Sequence, residues 1–184
     1  MPALANTYRR QLHERALEKY GFVTTRDARE LGVPAVEVRK LAARGGLTHV
    51  ARGLYRFDDI PHTGREEFME AVLRAGHGAF LTGEAVLALH ELAQVNPRAI
   101  TVGAPRHVRA DLPPTVEVHE RAVPPGDLTM YEGIPSTTVA KALLDCRRTV
   151  MRERLELAVE RAVERGLLRR SERERLRKAI GMGA

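Results

Sequence analysis

Residues 22–57 carry the pattern that most restricts how this chain can fold. A short helical segment, a turn at Gly32 and a second helical segment follow one another, and two glycines end the second helix before a pair of short extended runs. Thr24 or Thr25 is a suitable N-cap for the first helix, and Pro34 suits the start of the second helix, where an amide hydrogen is not needed. Ala51-Arg52-Gly53 separates the extended runs as a hairpin tip would. The predicted order is helix, turn, helix and hairpin.

The residues inside this segment fit a helix-turn-helix of the kind that enters the major groove of DNA. Ala28 is small enough to let two helices cross closely, and Gly32 tolerates the left-handed backbone of the turn. Val38 and Leu41 predict the buried side of the second helix, which leaves its opposite side free for DNA. With the hairpin as a wing, residues 1–57 are predicted to form a winged helix-turn-helix domain that binds double-stranded DNA.

The side chains predicted to meet DNA lie on the second helix, at the start of the first helix and on the hairpin. The N-terminal end of the second helix is expected to approach base edges, and its later cations are expected to reach bases or phosphates. An arginine at the hairpin tip is suited to the minor groove or to the phosphates beside it. The predicted DNA-binding residues are Thr25, Arg26, Ala35, Glu37, Arg39, Lys40, Arg44, His49, Arg52 and Arg56.

The charge is divided into three blocks along the chain. Residues 1–57 contain eleven Lys and Arg against five Asp and Glu, a net charge of +6. Residues 58–146 have a net charge of −6, and residues 147–184 again have +6. Concentrated positive charge is typical of proteins that bind the phosphate backbone, so the first block agrees with the predicted DNA-binding domain.

The remainder of the chain predicts a second domain. Residues 58–64 contain Asp-Asp, a proline and a glycine and form the best candidate for a linker. Residues 65–184 show helical segments at both ends and three extended runs between them, near Ala99–Val102, Val116–His119 and Leu128–Tyr131. The chain as a whole is therefore predicted to be α+β and mainly helical, with a mixed helix-strand domain that pairs with another copy or contacts a partner and ends in basic helices.

The basic tail leaves two interpretations open. Its last helix is expected to begin after Ser171, with Glu174 completing a capping box. Arginines and glutamates alternate around its helices, which favours ion pairs on a solvated face. The alternative is a second surface for DNA or for a protein partner.

No pattern in the sequence predicts an enzyme, a metal site or a bound cofactor. His90-Glu91 begins like a zinc-protease motif, but Gln94 stands where the second histidine is required. Asp145 is expected to cap a helix or to pair with the arginines that follow it. The lone Cys146 cannot form an internal disulfide, and no run of 18 or more apolar residues exists, so a cytoplasmic protein without a membrane span is expected.

The stretch FVTTRDARELGVPAVEVRKLAARGGLTHVARGLYRF resembles the N-terminal domain of AbiEi-type antitoxins, in which a Gly-[ILV]-Tyr-Arg wing is typical. The resemblance continues through AFLTGEAVLALHEL, ITVGAPRHVRADLPPTVEVHE and GIPSTTVAKALLDC. It implies an antitoxin that neutralises a nucleotidyltransferase toxin and represses its own operon by binding inverted repeats of operator DNA cooperatively, with self-association on the DNA.

Two other functions remain open from the sequence. The chain is alternatively a stand-alone winged-helix transcription regulator without a toxin partner, its second domain serving to dimerise or to sense. A third hypothesis is an antitoxin that masks an enzyme directly through the acidic block, with DNA binding secondary.

Overall fold

The computed structural model describes residues 2–95 and 97–181, with side chains from Thr7 onward. The chain is α+β and forms two compact units, residues 1–74 and 75–184. No helix in the described part of the chain has the length and apolar character needed to cross a bilayer. The elements that begin in the first unit are α1 (Pro2–Leu17), β1 (Phe22–Thr24), α2 (Thr25–Glu30), α3 (Ala35–Ala43), β2 (Thr48–Ala51), β3 (Leu54–Arg56) and α4 (Glu66–Ala75).

Helices α2 and α3 follow directly from local sequence signals. Thr24 has an extended backbone and accepts a hydrogen bond from the Asp27 amide, while the Asp27 side chain accepts one from the Thr24 amide, which makes a capping box. Gly32 turns the chain with a φ of +69°, in the left-handed region that a glycine adopts without strain. Pro34 then precedes α3 in an extended conformation and caps it without a side-chain hydrogen bond.

Strands β1, β3 and β2 form an antiparallel sheet in that order. Arg56 in β3 lies opposite both Phe22 and Thr48, and the register of β2 shifts between His49 and Ala51. The helices and this sheet enclose one apolar core, whose buried members are Leu12, Ala16, Val23, Ala28, Val33, Val38, Leu47, Phe57 and Ile60. Burial of these side chains holds α1, α2 and α3 together against the hairpin β2–β3.

The segment predicted as a linker lies inside the first compact unit. Asp58 accepts a hydrogen bond of 2.7 Å from the Thr48 hydroxyl, and Asp59 accepts one of 2.6 Å from the Arg9 guanidinium. Further along, the Glu66 carboxylate accepts hydrogen bonds from the amides of Thr63 and Gly64 at the start of α4. The Arg74 guanidinium then donates to the Val50 carbonyl at 3.1 Å.

The second unit is built around a mixed sheet of five strands. Their order is β6-β5-β4-β8-β7, with β4–β8 and β5–β6 parallel and the other two pairs antiparallel. The elements are β4 (Phe80–Leu81), α5 (Glu84–Leu89), β5 (Ile100–Ala104), β6 (Val116–Glu120), β7 (Leu128–Tyr131), β8 (Ile134–Thr137), α6 (Val139–Asp145), α7 (Arg152–Glu164) and α8 (Arg170–Ile180), with short 3-10 turns at Pro125–Asp127 and Cys146–Arg148.

Two strands of this sheet were absent from the sequence-based prediction. Strand β4 has only two residues, too few for an alternating pattern to be visible. Strand β8 contains Pro135, a residue that argues against a strand inside a sheet because it has no amide hydrogen to donate. The sheet therefore has five strands rather than three.

The start of the last helix also differs from the prediction. Helix α8 begins at Arg170, and its N-cap is Arg169, whose amide donates to the Glu172 carboxylate at 3.1 Å. Ser171 already lies within the first turn, so the predicted pairing of Ser171 with Glu174 was wrong. The Glu172 carboxylate performs the capping two residues earlier than expected, because an N-cap depends on where the backbone enters the helix and not on residue type alone.

Asp145 has other partners than the following arginines. Its carboxylate accepts a hydrogen bond from Lys141 one turn earlier on α6, and another of 3.0 Å from Arg121 after β6. The Thr82 hydroxyl joins this group, donating to Asp145 at 3.3 Å. Burial raises the pKa of Asp145, but the hydrogen bonds from Lys141 and Arg121 outweigh it and leave the pKa below its ordinary value. Asp145 thus fastens α6 to the sheet.

Candidate nucleic-acid interface

Helix α3 presents one side to the core and the other to solvent. Val38 is 1% exposed and packs in the core. Val36 lies two residues earlier, about 200° around the helix, and is 45% exposed. Residues 36, 39, 40 and 43 share this outward side because they follow the helical spacing i, i+3, i+4 and i+7. The exposed face of α3 is defined here as Val36, Arg39, Lys40 and Ala43, all of which are exposed.

The other predicted residues of α3 lie beside this face. Ala35 is exposed at the first position of the helix, and Arg44 is exposed directly after the last. Glu37 is half-buried, and its carboxylate accepts a hydrogen bond of 2.8 Å from Lys40. Glu37 therefore partly neutralises Lys40, whereas Arg39 and Arg44 have no ion pair among the described residues.

The hairpin tip lies against the beginning of α2. The Thr25 amide donates to the Gly53 carbonyl at 2.9 Å, and Gly53 has a φ of +73°. A Cβ atom at Gly53 would lie 2.9 Å from the Thr25 hydroxyl, closer than real Cβ contacts, so a glycine is required here. This contact fixes the tip residue that follows Arg52. Arg52 is exposed, and its guanidinium has no ion pair in the described part of the chain.

Arg26 and His49 are exposed as well, with local partners. The Arg26 guanidinium donates to Glu30 one turn later on α2, at 2.9 Å. The His49 ring lies edge-on to Tyr55 on the neighbouring strand, with 5.2 Å between the ring centroids. Both side chains remain accessible from solvent.

Arg56 differs from the other predicted DNA-binding residues because it is buried, with 8% of its surface exposed. Its guanidinium donates to the carbonyl oxygens of Phe57, at 3.2 Å, and Ile60, at 2.9 Å. Arg56 therefore ties the end of β3 to the following segment and does not lie with the exposed cations. The signal was present in the sequence, since Leu54 and Arg56 are two residues apart and share one face of the strand.

Arg29, Val36 and Ala43 are exposed residues of this region that were missing from the sequence-based set. Arg29 on α2 is exposed and has no ion pair among the described residues. Val36 was missing although its spacing from Val38 already places it on the opposite side of the helix. The structure thus adds one cation and two apolar side chains to the surface around α3.

A buried carboxylate holds α1 against α2. The Asp27 side chain is 3% exposed and accepts hydrogen bonds from the Thr24 amide and hydroxyl, from Lys19 at 2.5 Å and from Arg15 at 3.2 Å. Burial raises the pKa of Asp27, but the hydrogen bonds from Lys19 and Thr24 together lower it further, so the pKa lies below the ordinary 3.8. Asp27 is consequently charged at neutral pH and fixes the helices that support α3.

The acidic side chains of α1–α3 are already engaged by cations on the same three helices. Glu14, Glu18, Asp27, Glu30 and Glu37 each lie within 4.0 Å of a Lys or Arg nitrogen. The surplus positive charge of residues 1–57 is therefore carried by side chains outside these pairs. These side chains include Arg29, Arg39, Arg44 and Arg52.

This surface suits an anionic partner, because exposed arginines on a helix face and a hairpin tip offer hydrogen-bond donors to phosphates and to base edges. No group of three or more His, Cys, Asp and Glu side chains in the described residues has the arrangement needed to hold a metal ion.

A comparison with known families gives a match over this same region. The sequence model of the family described as "Transcriptional regulator, AbiEi antitoxin" matches residues 10–57, from the middle of α1 to the residue after β3. No curated protein matches the chain. This match confirms the resemblance of residues 10–57 to AbiEi antitoxins.

Proposed function

We propose that residues 10–57 form a winged helix-turn-helix that binds double-stranded DNA, with α3 as the recognition helix and β2–β3 as the wing. The observation that carries the proposal is the exposed face of α3, where Arg39 and Lys40 project between Val36 and Ala43 and no acidic residue shares the face. The match to a family of transcriptional regulators supports it.

The exposed positions suggest how the contacts are divided. Arg39 contacts a base edge from the centre of α3, and Arg44 at its end contacts a phosphate. Arg52 at the wing tip enters the minor groove or meets the phosphates beside it. Thr25, Arg26, Ala35, Lys40 and His49 complete the proposed interface together with Arg29. Arg56 supports the wing from inside and makes no DNA contact.

We further propose that the chain is the antitoxin of an AbiE-type system that represses its own operon at inverted repeats and neutralises a nucleotidyltransferase toxin. The family description supports the antitoxin role. Residues 58–146 have a net charge of −6, opposite to the DNA-binding segment, so a different surface is expected to act on the toxin. Neutralisation is therefore assigned to the second unit.

A second candidate is a transcription regulator without a toxin partner. The observation that favours it is the extent of the family match, which ends at Phe57 and leaves the second unit unmatched. In this alternative the second unit dimerises or senses a signal.

One experiment tests both functions with the full-length chain. A reporter fused to the promoter upstream of the gene measures repression, and a separate plasmid carrying the neighbouring toxin gene measures rescue of growth. The double variant R39A/R52A is expected to lose repression and to retain rescue. The variant R154A/R175A, which removes the same charge from exposed positions of α7 and α8, is the matched control and is expected to repress normally. Normal repression by R39A/R52A would refute the DNA-binding proposal, and failure of the wild-type chain to rescue would leave the plain regulator.

A further inference from the structure

Val36 is an apolar side chain exposed in the middle of a basic surface. Among the first-unit side chains that the structure describes, from Thr7 onward, Leu17 and Val36 are the large apolar residues left exposed, at 59% and 45%. Leu17 ends α1, but Val36 lies in the first turn of α3. Arg39 and Lys40 follow it on the same face at the spacings i+3 and i+4. An exposed apolar side chain beside two cations is suited to a partner that is anionic and also offers an apolar group.

The major groove of DNA has both properties. Phosphates line its edges, and thymine is the base that presents an apolar C5 methyl group there. The first turn of a recognition helix is the part that approaches base edges. Resting on the proposed function of α3, we infer that Val36 packs against a thymine methyl group and so reads an A·T base pair.

The neighbouring polar residue is not free for the same task. The Glu37 side chain is 21% exposed, and its carboxylate already accepts a hydrogen bond from Lys40. Contact of Glu37 with a cytosine amino group would require this pair to break. Exposed residues of the first turn are thus Ala35 and Val36, and both are apolar. Because the exposed side chains of this turn are apolar, the base group that they can contact is the methyl group of thymine.

The test uses the full-length chain and a duplex selected by that chain from a random DNA library. Each thymine of the selected duplex is replaced in turn by deoxyuridine, which removes only the C5 methyl group. At one position per binding site, this replacement is expected to weaken wild-type binding about fourfold, the equivalent of exposing one buried methyl-sized group. V36A is expected to weaken binding of the unmodified duplex and to be insensitive to deoxyuridine at that position. L17A, an equally simple truncation of an exposed apolar residue, is the matched control and is expected to behave as wild type.

The outcomes separate this inference from the proposed function. Wild-type binding that is indifferent to every deoxyuridine, or a V36A chain that keeps the full sensitivity of the wild type, would overturn the role of Val36. If R39A weakens binding in the same assay, the recognition helix stands while the thymine contact falls. If no duplex is enriched by the chain, both proposals fall together.

Discussion

Helices α3 and α7 belong to segments with the same net charge, residues 1–57 and residues 147–184, yet the sides of the two helices that face away from their buried residues differ in charge. In α3, the exposed face consists of Val36, Arg39, Lys40 and Ala43. In α7, Leu155, Ala158, Val159 and Ala162 are buried, and the opposite side of the helix contains Glu153, Leu157, Glu160 and Glu164. These four positions of α7 include three glutamates and no arginine, although the block has the same net charge of +6.

The difference teaches that net charge locates a basic segment but not a phosphate-binding face. Arg173 and Arg177 of α8 both donate to the Glu160 carboxylate of α7, at 2.7 and 3.0 Å. The hydrogen bond from Arg173 is the main cause that lowers the pKa of Glu160, and desolvation raises it less. The positive charge of Arg173 and the hydrogen bond and charge of Arg177 lower this pKa further. These arginines form ion pairs between two helices of their own unit, and not pairs between neighbouring turns of one helix face as the sequence favoured. Arg39 and Arg44 have no such partner in the described residues.

The largest expected effect concerns the support beneath α3. Replacement of Asp27 by Asn removes a buried charge that accepts hydrogen bonds from Lys19, Arg15 and Thr24, and is expected to destabilise the first unit by about 3 kcal/mol. Hydrogen exchange of the α1–α3 amides in the full chain measures this loss. E30Q, which alters an exposed carboxylate on the same helix, is the control and should change protection little. An equal loss of hydrogen-exchange protection in D27N and E30Q would contradict a larger stabilising contribution from the buried Asp27.

The same residue predicts a pH dependence. The pKa of Asp27 is lower in the folded chain than the ordinary 3.8, so the carboxylate stabilises the fold above that pH. This contribution is expected to disappear as the pH falls below about 4, through the lowered pKa. A denaturant titration at several pH values should show a steeper acid loss for the wild type than for D27N. Parallel curves would contradict the assignment.

Single truncations of the cations sharpen the comparison between α3 and α7. R39A and R52A are each expected to weaken binding of the selected duplex by about 1–3 kcal/mol, with relaxed preference for sequence if a base contact is lost. R154A removes one exposed cation from α7 and is expected to leave the affinity nearly unchanged. Gel-shift titrations at one fixed salt concentration provide the measurement. If R154A weakens binding as much as R39A does, the assignment of the DNA contact to α3 and not to α7 is contradicted.

A smaller effect is expected at Arg44, assigned to a phosphate. R44A should weaken binding to all duplexes alike and reduce the slope of log affinity against log salt by about 0.9, the release of one counterion equivalent. K178A, at an exposed position of α8, provides the control and should keep the wild-type slope. A sequence-dependent loss in R44A would instead reassign Arg44 to a base contact.

The smallest effect is expected where α7 meets α8. E160Q weakens an ion-pair group that is partly exposed, and it is expected to cost less than about 1 kcal/mol of stability. DNA affinity should be unchanged, because Glu160 lies outside the proposed interface. Thermal unfolding and the gel-shift titration measure the two quantities. A change in affinity without a change in stability would place a DNA contact on the tail.

The sequence by itself determined the local plan of the first unit. A threonine cap at Thr24 or Thr25, Gly32 and Pro34 predicted the beginning of α2, the turn and the beginning of α3, because caps, left-handed turns and proline depend on a few neighbouring residues. The structure selects Thr24 as the cap. The period of Val38 and Leu41 assigned the inner side of α3. The predicted set of exposed cations on α3 and at the hairpin tip could be drawn from this plan.

The tertiary structure alone decided which charged side chains are free. Arg173 and Arg177 bind Glu160 on another helix, whereas Arg56 binds the nearby carbonyl oxygens of Phe57 and Ile60, on the buried side that the alternation of its strand already indicates. Asp145 pairs with Arg121, which is distant in sequence. The short strands β4 and β8 form because neighbouring strands supply their hydrogen-bond partners. Long-range partners of this kind leave no periodic trace in the sequence, since their free energy arises from atoms that only the folded chain brings together.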